Sequence, residues 1–265
     1  MRAWTRWHWV WLISLALWLI GTSPSQAGEI SDRLAQFPDW QTKPTVQAAE
    51  GDLIYPDWFA GEWLATTTLV DLVAPVPELT TPGFEGNRQY LNQPVPFRVR
   101  FVDGRSLYPP PDPLLPIPSV LPQPGQQIVS DRAFNGLSLA KAYLGEGAVV
   151  SVKVDPTNPN RQITLLQGNR QLVSTIAARA IETPDPDDFL TTEVFLQEFR
   201  GSPQIFFNQV ETTTAYHRSR GNDPAIVADQ VTAIYLSPQD PDFFKAGDRP
   251  VALYRYRMEF SPIGD

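Results

Sequence analysis

Apolar and polar residues alternate along most of the chain beyond residue 60. Phe97, Val99 and Phe101 are separated by Arg98 and Arg100, a period of two that buries one strand face and wets the other. Similar strand-like runs cover Leu64 to Val73, Pro94 to Val102, Ala148 to Asp155, Gln162 to Gln167 and Gln171 to Glu182. They continue over Leu190 to Phe199, Gln204 to His217, Ile226 to Leu236 and Val251 to Phe260. Asp103-Gly104, Gly168-Asn169 and Gly221-Asn222 punctuate them as turns. Only one segment has helical spacing. Asp131 can cap a helix running to Leu144, with Phe134, Leu137, Lys141 and Leu144 on one face and Gly145 at its end. About nine strands with one helix predict an all-β fold, an antiparallel barrel or strongly curved sheet. A parallel sheet would need a helix in nearly every link.

Composition sharpens this picture. The 27 prolines are roughly twice the usual share of about 5% and argue against a helical bundle. Eight of them fall within 109–124, so the stretch 108–125 reads as an extended Pro-rich loop. The absence of cysteine excludes disulfide scaffolds, thiolate metal sites and cysteine nucleophiles.

Residues 1–27 read as a Sec-type signal peptide. Arg2 and Arg6 precede the apolar run Trp9 to Ile20, which is shorter than the about 20 residues of a membrane span. Ser25-Gln26-Ala27 supplies the small residues of a cleavage site. An uncleaved interfacial anchor is the alternative, favoured by Trp4, Trp7, Trp9, Trp11 and Trp18. The formal charge is −8 and becomes more negative when the two leader arginines are removed. No basic stripe remains for nucleic acid. Residues 28–50 form a lead-in, and residues 51–265 form a single β domain.

Candidate chemistry is sparse. His217 is the only histidine after the leader and has no nucleophile motif around it. A lone imidazole cannot build a histidine metal site, so neither metal nor cofactor is expected. Asp185, Asp187 and Asp188, and Asp240, Asp242 and Asp248, sit in Pro-rich turns and match no calcium loop. Glu193, Glu198 and Glu211 lie in strands and are the candidates for a carboxylate-based hydrolase.

The segment Trp58-Phe59-Ala60-Gly61-Glu62-Trp63 resembles the Gly-x-Trp opening of calycin and lipocalin-like barrels. The resemblance implies that Gly61 turns the backbone into the first strand and that Trp58 and Trp63 close one end. It also implies that Arg255 or Arg257 packs over Trp63. The long loops 74–95 and 103–130 depart from a true lipocalin. The blocks 51–58, 82–88 and 131–137 resemble a family of unknown function associated with cyanobacteria and plastids. That likeness implies export to the thylakoid lumen or periplasm. Together these features predict a non-enzymatic barrel that binds a hydrophobic small molecule such as a lipid, pigment or quinone. The expected ligand-binding residues are Trp63, Phe97, Phe101, Phe207, Tyr254 and Tyr256. The alternative is an assembly or interaction factor for a thylakoid membrane complex, docking through loop 108–125.

Overall fold

The computed structural model describes residues 28–79, 81, 83–107, 127–201, 205–221 and 223–264. Residues 1–27, expected to be a signal peptide, and the whole Pro-rich loop 108–125 lie outside the described residues. One antiparallel sheet of twelve strands dominates. Nine strands are long: β3 (Gly61–Val73), β4 (Pro94–Asp103), β6 (Val149–Asp155), β7 (Asn158–Leu166), β8 (Arg170–Glu182), β9 (Asp188–Arg200), β10 (Phe206–Arg218), β11 (Ile226–Leu236) and β12 (Ala252–Pro262). These correspond to the nine runs predicted from alternation. The other three, β1 (Gln47–Ala48), β2 (Ile54–Tyr55) and β5 (Ile128–Ser130), are two or three residues long. Such short pieces carry too little pattern to be seen in sequence.

The strand order is β2-β5-β4-β3-β12-β11-β10-β9-β8-β7-β6, with β1 added beside β8. The last strand therefore lies beside β3, and the sheet curls into a half-barrel. Its open seam falls between β4 and β6, which are joined by the long link 104–148. Within that link, helix α2 (Arg132–Leu144) packs against both β4 and β6. Asp131 caps it by accepting a 3.1 Å bond from the Phe134 N–H, as the sequence predicts.

The helix serves the β4 edge in place of a strand. Asn135 Oδ1 accepts from the Arg100 N–H at 2.8 Å, and its amide nitrogen donates to the Arg100 carbonyl at 3.0 Å. Ser138 Oγ accepts from the Arg98 N–H at 3.0 Å. Covering an edge in this way removes it as a pairing site. Gly136 permits the close approach on the other side, where an added Cβ would stand 2.8 Å from the Gln162 side chain. The face turned inward is Arg132, Asn135, Gly136, Leu139, Ala140, Tyr143 and Leu144; of the predicted face only Leu144 is on it, and Phe134, Leu137 and Lys141 are not. Phe134 instead lies under the Arg100 guanidinium, 4.4 Å from its carbon. Replacing Asn135 with alanine should cost about 1–3 kcal/mol, because it strands the Arg100 N–H at a half-buried edge, while the Arg100 carbonyl keeps its 3.1 Å bond from the Asp131 N–H. Urea unfolding would measure this loss.

The outer face of β10, β11 and β12 is covered by the lead-in. Helix α1 (Glu29–Ala35) and Trp40 pack on Val231, Ala233, Tyr235 and Leu253. Beneath them lies Glu211, fully buried. The Arg33 guanidinium grips its carboxylate at 2.5 and 2.7 Å, and Tyr235 and Thr213 hydroxyls donate to it at 2.7 and 2.8 Å.

Candidate functional site

Inward-facing residues of β4 and β7–β12, with α2, enclose a cavity of about 820 Å³. Strand alternation selects them. Phe97, Val99 and Phe101 come from β4, Phe195 and Phe199 from β9, and Tyr256, Met258 and Phe260 from β12. Leu139 and Leu144 line the cavity yet are 40% and 56% exposed, so the opening runs along the C-terminal half of α2.

Aromatic rings close one end. A turn at Asp57–Phe59 drives Phe59 into the barrel end. There it meets Trp58 at 4.3 Å, Phe101 at 4.8 Å, Tyr55 at 4.9 Å and Tyr216 at 5.1 Å. The Trp63 indole N–H donates to the Phe59 carbonyl at 2.7 Å. Gly61 enters β3 at φ 117°, with nothing within 4 Å of an added Cβ. The backbone conformation, not space, therefore requires glycine there.

A charged cluster borders this aromatic end. Arg179 on β8 stands opposite Glu193 on β9, with Nη2 3.2 Å from Oε1. A β-bulge between Ile176 and Ala178 makes this possible. Ser174 and Ile176 face inward, and the extra residue carries Arg179 to the same side. Arg179 also donates to Asn160 Oδ1 at 2.9 Å and to the Gly51 carbonyl at 3.1 Å. Arg132, the first residue of α2, donates to the Pro159 carbonyl. Asp52 completes the set of charged lining residues. Burial raises the Glu193 carboxyl above its ordinary range, with Arg179 and Arg132 opposing that shift. Burial lowers Arg132, with Glu193 and Asp52 opposing. Burial also pushes the Tyr55 and Tyr216 hydroxyls up, so both stay neutral. Arg179 Nε is buried without a hydrogen-bond partner, and Glu193 Oε1 is buried with only the 3.2 Å ion pair from Arg179 Nη2.

Of the predicted ligand-binding residues, Phe97, Phe101 and Tyr256 line the cavity. Trp63 faces inward but is consumed in the aromatic plug. Tyr254 shares the Tyr256 face, yet Phe84 from the loop after β3 covers it, and Asn87 donates to its hydroxyl at 3.2 Å. Phe207 belongs to the opposite face of β10, because Val210, Thr212 and Tyr216 are the residues that point inward. Arg255 and Arg257 do not cover Trp63. With Tyr256, Met258 and Phe260 inside, strand parity sends both arginines outside. There Arg255 holds Asp229 at 2.9 and 2.5 Å and stacks on Phe37, and Arg257 pairs with Glu259.

The three candidate carboxylates are not brought together. Glu193 borders the cavity, Glu198 pairs with Arg200 on the other face of β9, and Glu211 lies under α1. His217 is exposed with its Nδ1 2.6 Å from Asp188, and it does not line the cavity. Asp187 pairs with Arg220, Asp242 with Lys245 and Asp248 with Lys43. Among the described residues, no group of three or more His, Asp or Glu side chains could hold a metal ion.

These features define an all-β protein, a curled antiparallel half-barrel with a helix in its seam and a cavity bounded by rings and charges. The chain belongs to the family described as a domain of unknown function, DUF6816, whose model matches residues 47–264. The match takes in every strand and leaves α1 ahead of it. No curated protein and no solved structure matches the chain.

Proposed function

We propose that this protein is a non-enzymatic binding protein that holds a hydrophobic small molecule, such as a lipid, pigment or quinone, inside the half-barrel. One observation carries the reading, the ring-lined cavity of about 820 Å³. Its size lies within the roughly 300–1,000 Å³ typical of small-molecule sites. The seam helix supports it too, since none of its residues is fully buried although one face turns inward. A filled core would have buried that face. The Gly61-x-Trp63 start is read as calycin-like. The setting is read as the thylakoid lumen or periplasm of an oxygenic phototroph, reached by the Sec-type signal in 1–27. An assembly role is the second reading, and Phe244, 91% exposed at the tip of the loop before β12, favours it.

The test is a cavity-filling variant. Ala140 lines the cavity from α2. Ala140→Trp should weaken binding of a neutral apolar fluorophore, such as N-phenyl-1-naphthylamine, by about tenfold or more. The thermal midpoint should not fall. Unchanged fluorophore affinity in a folded variant would remove the cavity as the site.

A further inference from the structure

We propose that the cavity takes an uncharged amphiphile, with a hydroxyl- or carbonyl-bearing head against Arg132, Arg179, Glu193 and Asp52 and an apolar body along the ring-lined walls. This rests on the reading of the cavity as a ligand site and adds the chemistry of the ligand's head. Charge count is the first argument. Among the described lining residues the charged ones are two arginines and two carboxylates, so the cluster is balanced. A carboxylate, phosphate or ammonium head would add a charge with no counter-charge, deep in a low-dielectric pocket.

Hydrogen bonding is the second argument. In the cluster, Arg179 Nε is a buried donor without a hydrogen-bond partner, and Glu193 Oε1 is a buried acceptor met only by the ion pair from Arg179 Nη2 at 3.2 Å. Leaving such groups unmade is costly, and a native site that does so invites a partner. A hydroxyl both accepts and donates, so it suits a head site that sets donors beside acceptors. The remaining polar lining is of the same kind. Gln162, Gln197, Gln230 and Thr212 offer neutral amides and a hydroxyl along the route to the opening. Nothing along that wall would draw in an ion. The placement of the cluster is the third argument. The bulge in β8 turns Arg179 inward against the strand's own alternation, and Arg132 opens the helix that fills the seam. Two separate elements thus converge on one end of a space whose other described lining residues are uncharged.

The test uses the full chain without its leader and N-phenyl-1-naphthylamine as the bound reporter. Three competitors of equal chain length displace it at neutral pH: a long-chain alcohol, the fatty acid and the alkyl trimethylammonium. The alcohol should displace the reporter at about tenfold lower concentration than either ion. Glu193→Gln leaves two arginines facing one carboxylate and should turn the preference to the fatty acid. Arg179→Met leaves the opposite excess and should turn it to the ammonium. An ion that competes as well as the alcohol against the native protein would overturn the proposal, and this comparison needs neither variant to fold. Identical ranking in folded variants would also overturn it, because the head would then lie away from the cluster. Failure of the reporter itself to bind would instead overturn the cavity reading, and this proposal with it.

Discussion

Arg33→Ala should lower the unfolding free energy by about 3–5 kcal/mol, the cost of stranding one partner of a buried ion pair. Glu211 has no exposed surface, and the Arg33 side chain is only 12% exposed. The guanidinium meets both carboxylate oxygens, at 2.5 and 2.7 Å. Its Nη2 also donates to the Tyr235 hydroxyl at 2.9 Å, and Trp40 stacks 3.9 Å from its carbon. Alanine would leave the carboxylate with hydroxyl donors alone. Lysine should rescue only part of the loss, because an ammonium cannot make the paired, planar contact. The double change Arg33→Met with Glu211→Leu should cost far less than either single change, since no lone charge remains. Urea unfolding of the four proteins forms the cycle. A loss below about 1 kcal/mol for Arg33→Ala would place the pair among ordinary surface bridges.

Phe59→Ala should destabilise by a similar amount, about 3–5 kcal/mol, as large-to-small changes at buried rings do. Phe59 is fully buried and is the common neighbour of Tyr55, Trp58, Phe101, Phe189 and Tyr216, at 4.3–6.0 Å. Removing it leaves a void at the closed end that the curled sheet cannot collapse to fill. Calorimetry should show a lower midpoint. The apolar fluorophore should bind less selectively, because the cavity then extends through its floor. A midpoint within a degree or so of the parent, against the several degrees that each kcal/mol normally costs, would show that the plug is redundant.

Much of the fold can be read from the chain, and the reasons are local. Nine strands announce themselves by alternation and by Gly, Pro and Asn turns. The bounds of α2 follow from Asp131 and Gly145, which act within a few residues of themselves. Half of the predicted aromatic wall is also in place, because Phe97, Phe101 and Tyr256 obey simple parity. Other features depend on events that parity cannot express. One inserted residue at Ile176/Ala178 reverses the side on which Arg179 points. The partner of Arg33 lies 178 residues away, and the fate of Tyr254 depends on Phe84 in a distant loop. The spacing of Phe134, Leu137, Lys141 and Leu144 predicts a conventional apolar stripe on α2. Its inward face instead mixes Arg132 and Asn135 with Leu139, Ala140 and Tyr143, because it must both cap an edge and border a cavity.

The neighbourhood of β3 and β12 has a temporal consequence. Along the chain these are the first and the last of the long strands, yet they pair over ten positions, from Trp63 to Val73. As the polypeptide emerges, β3 and β4 can form their hairpin early, but β3 must keep its other edge open until the final strand arrives. Closing so long a loop is entropically slow. An unpaired edge during that wait is a site for mispairing with another chain. A rearranged gene beginning at β6 and fusing the end of β12 to the start of β3 would write the nine long strands in their spatial order. That polypeptide should zip up by nearest-neighbour hairpins alone and reach its native state sooner than the natural one.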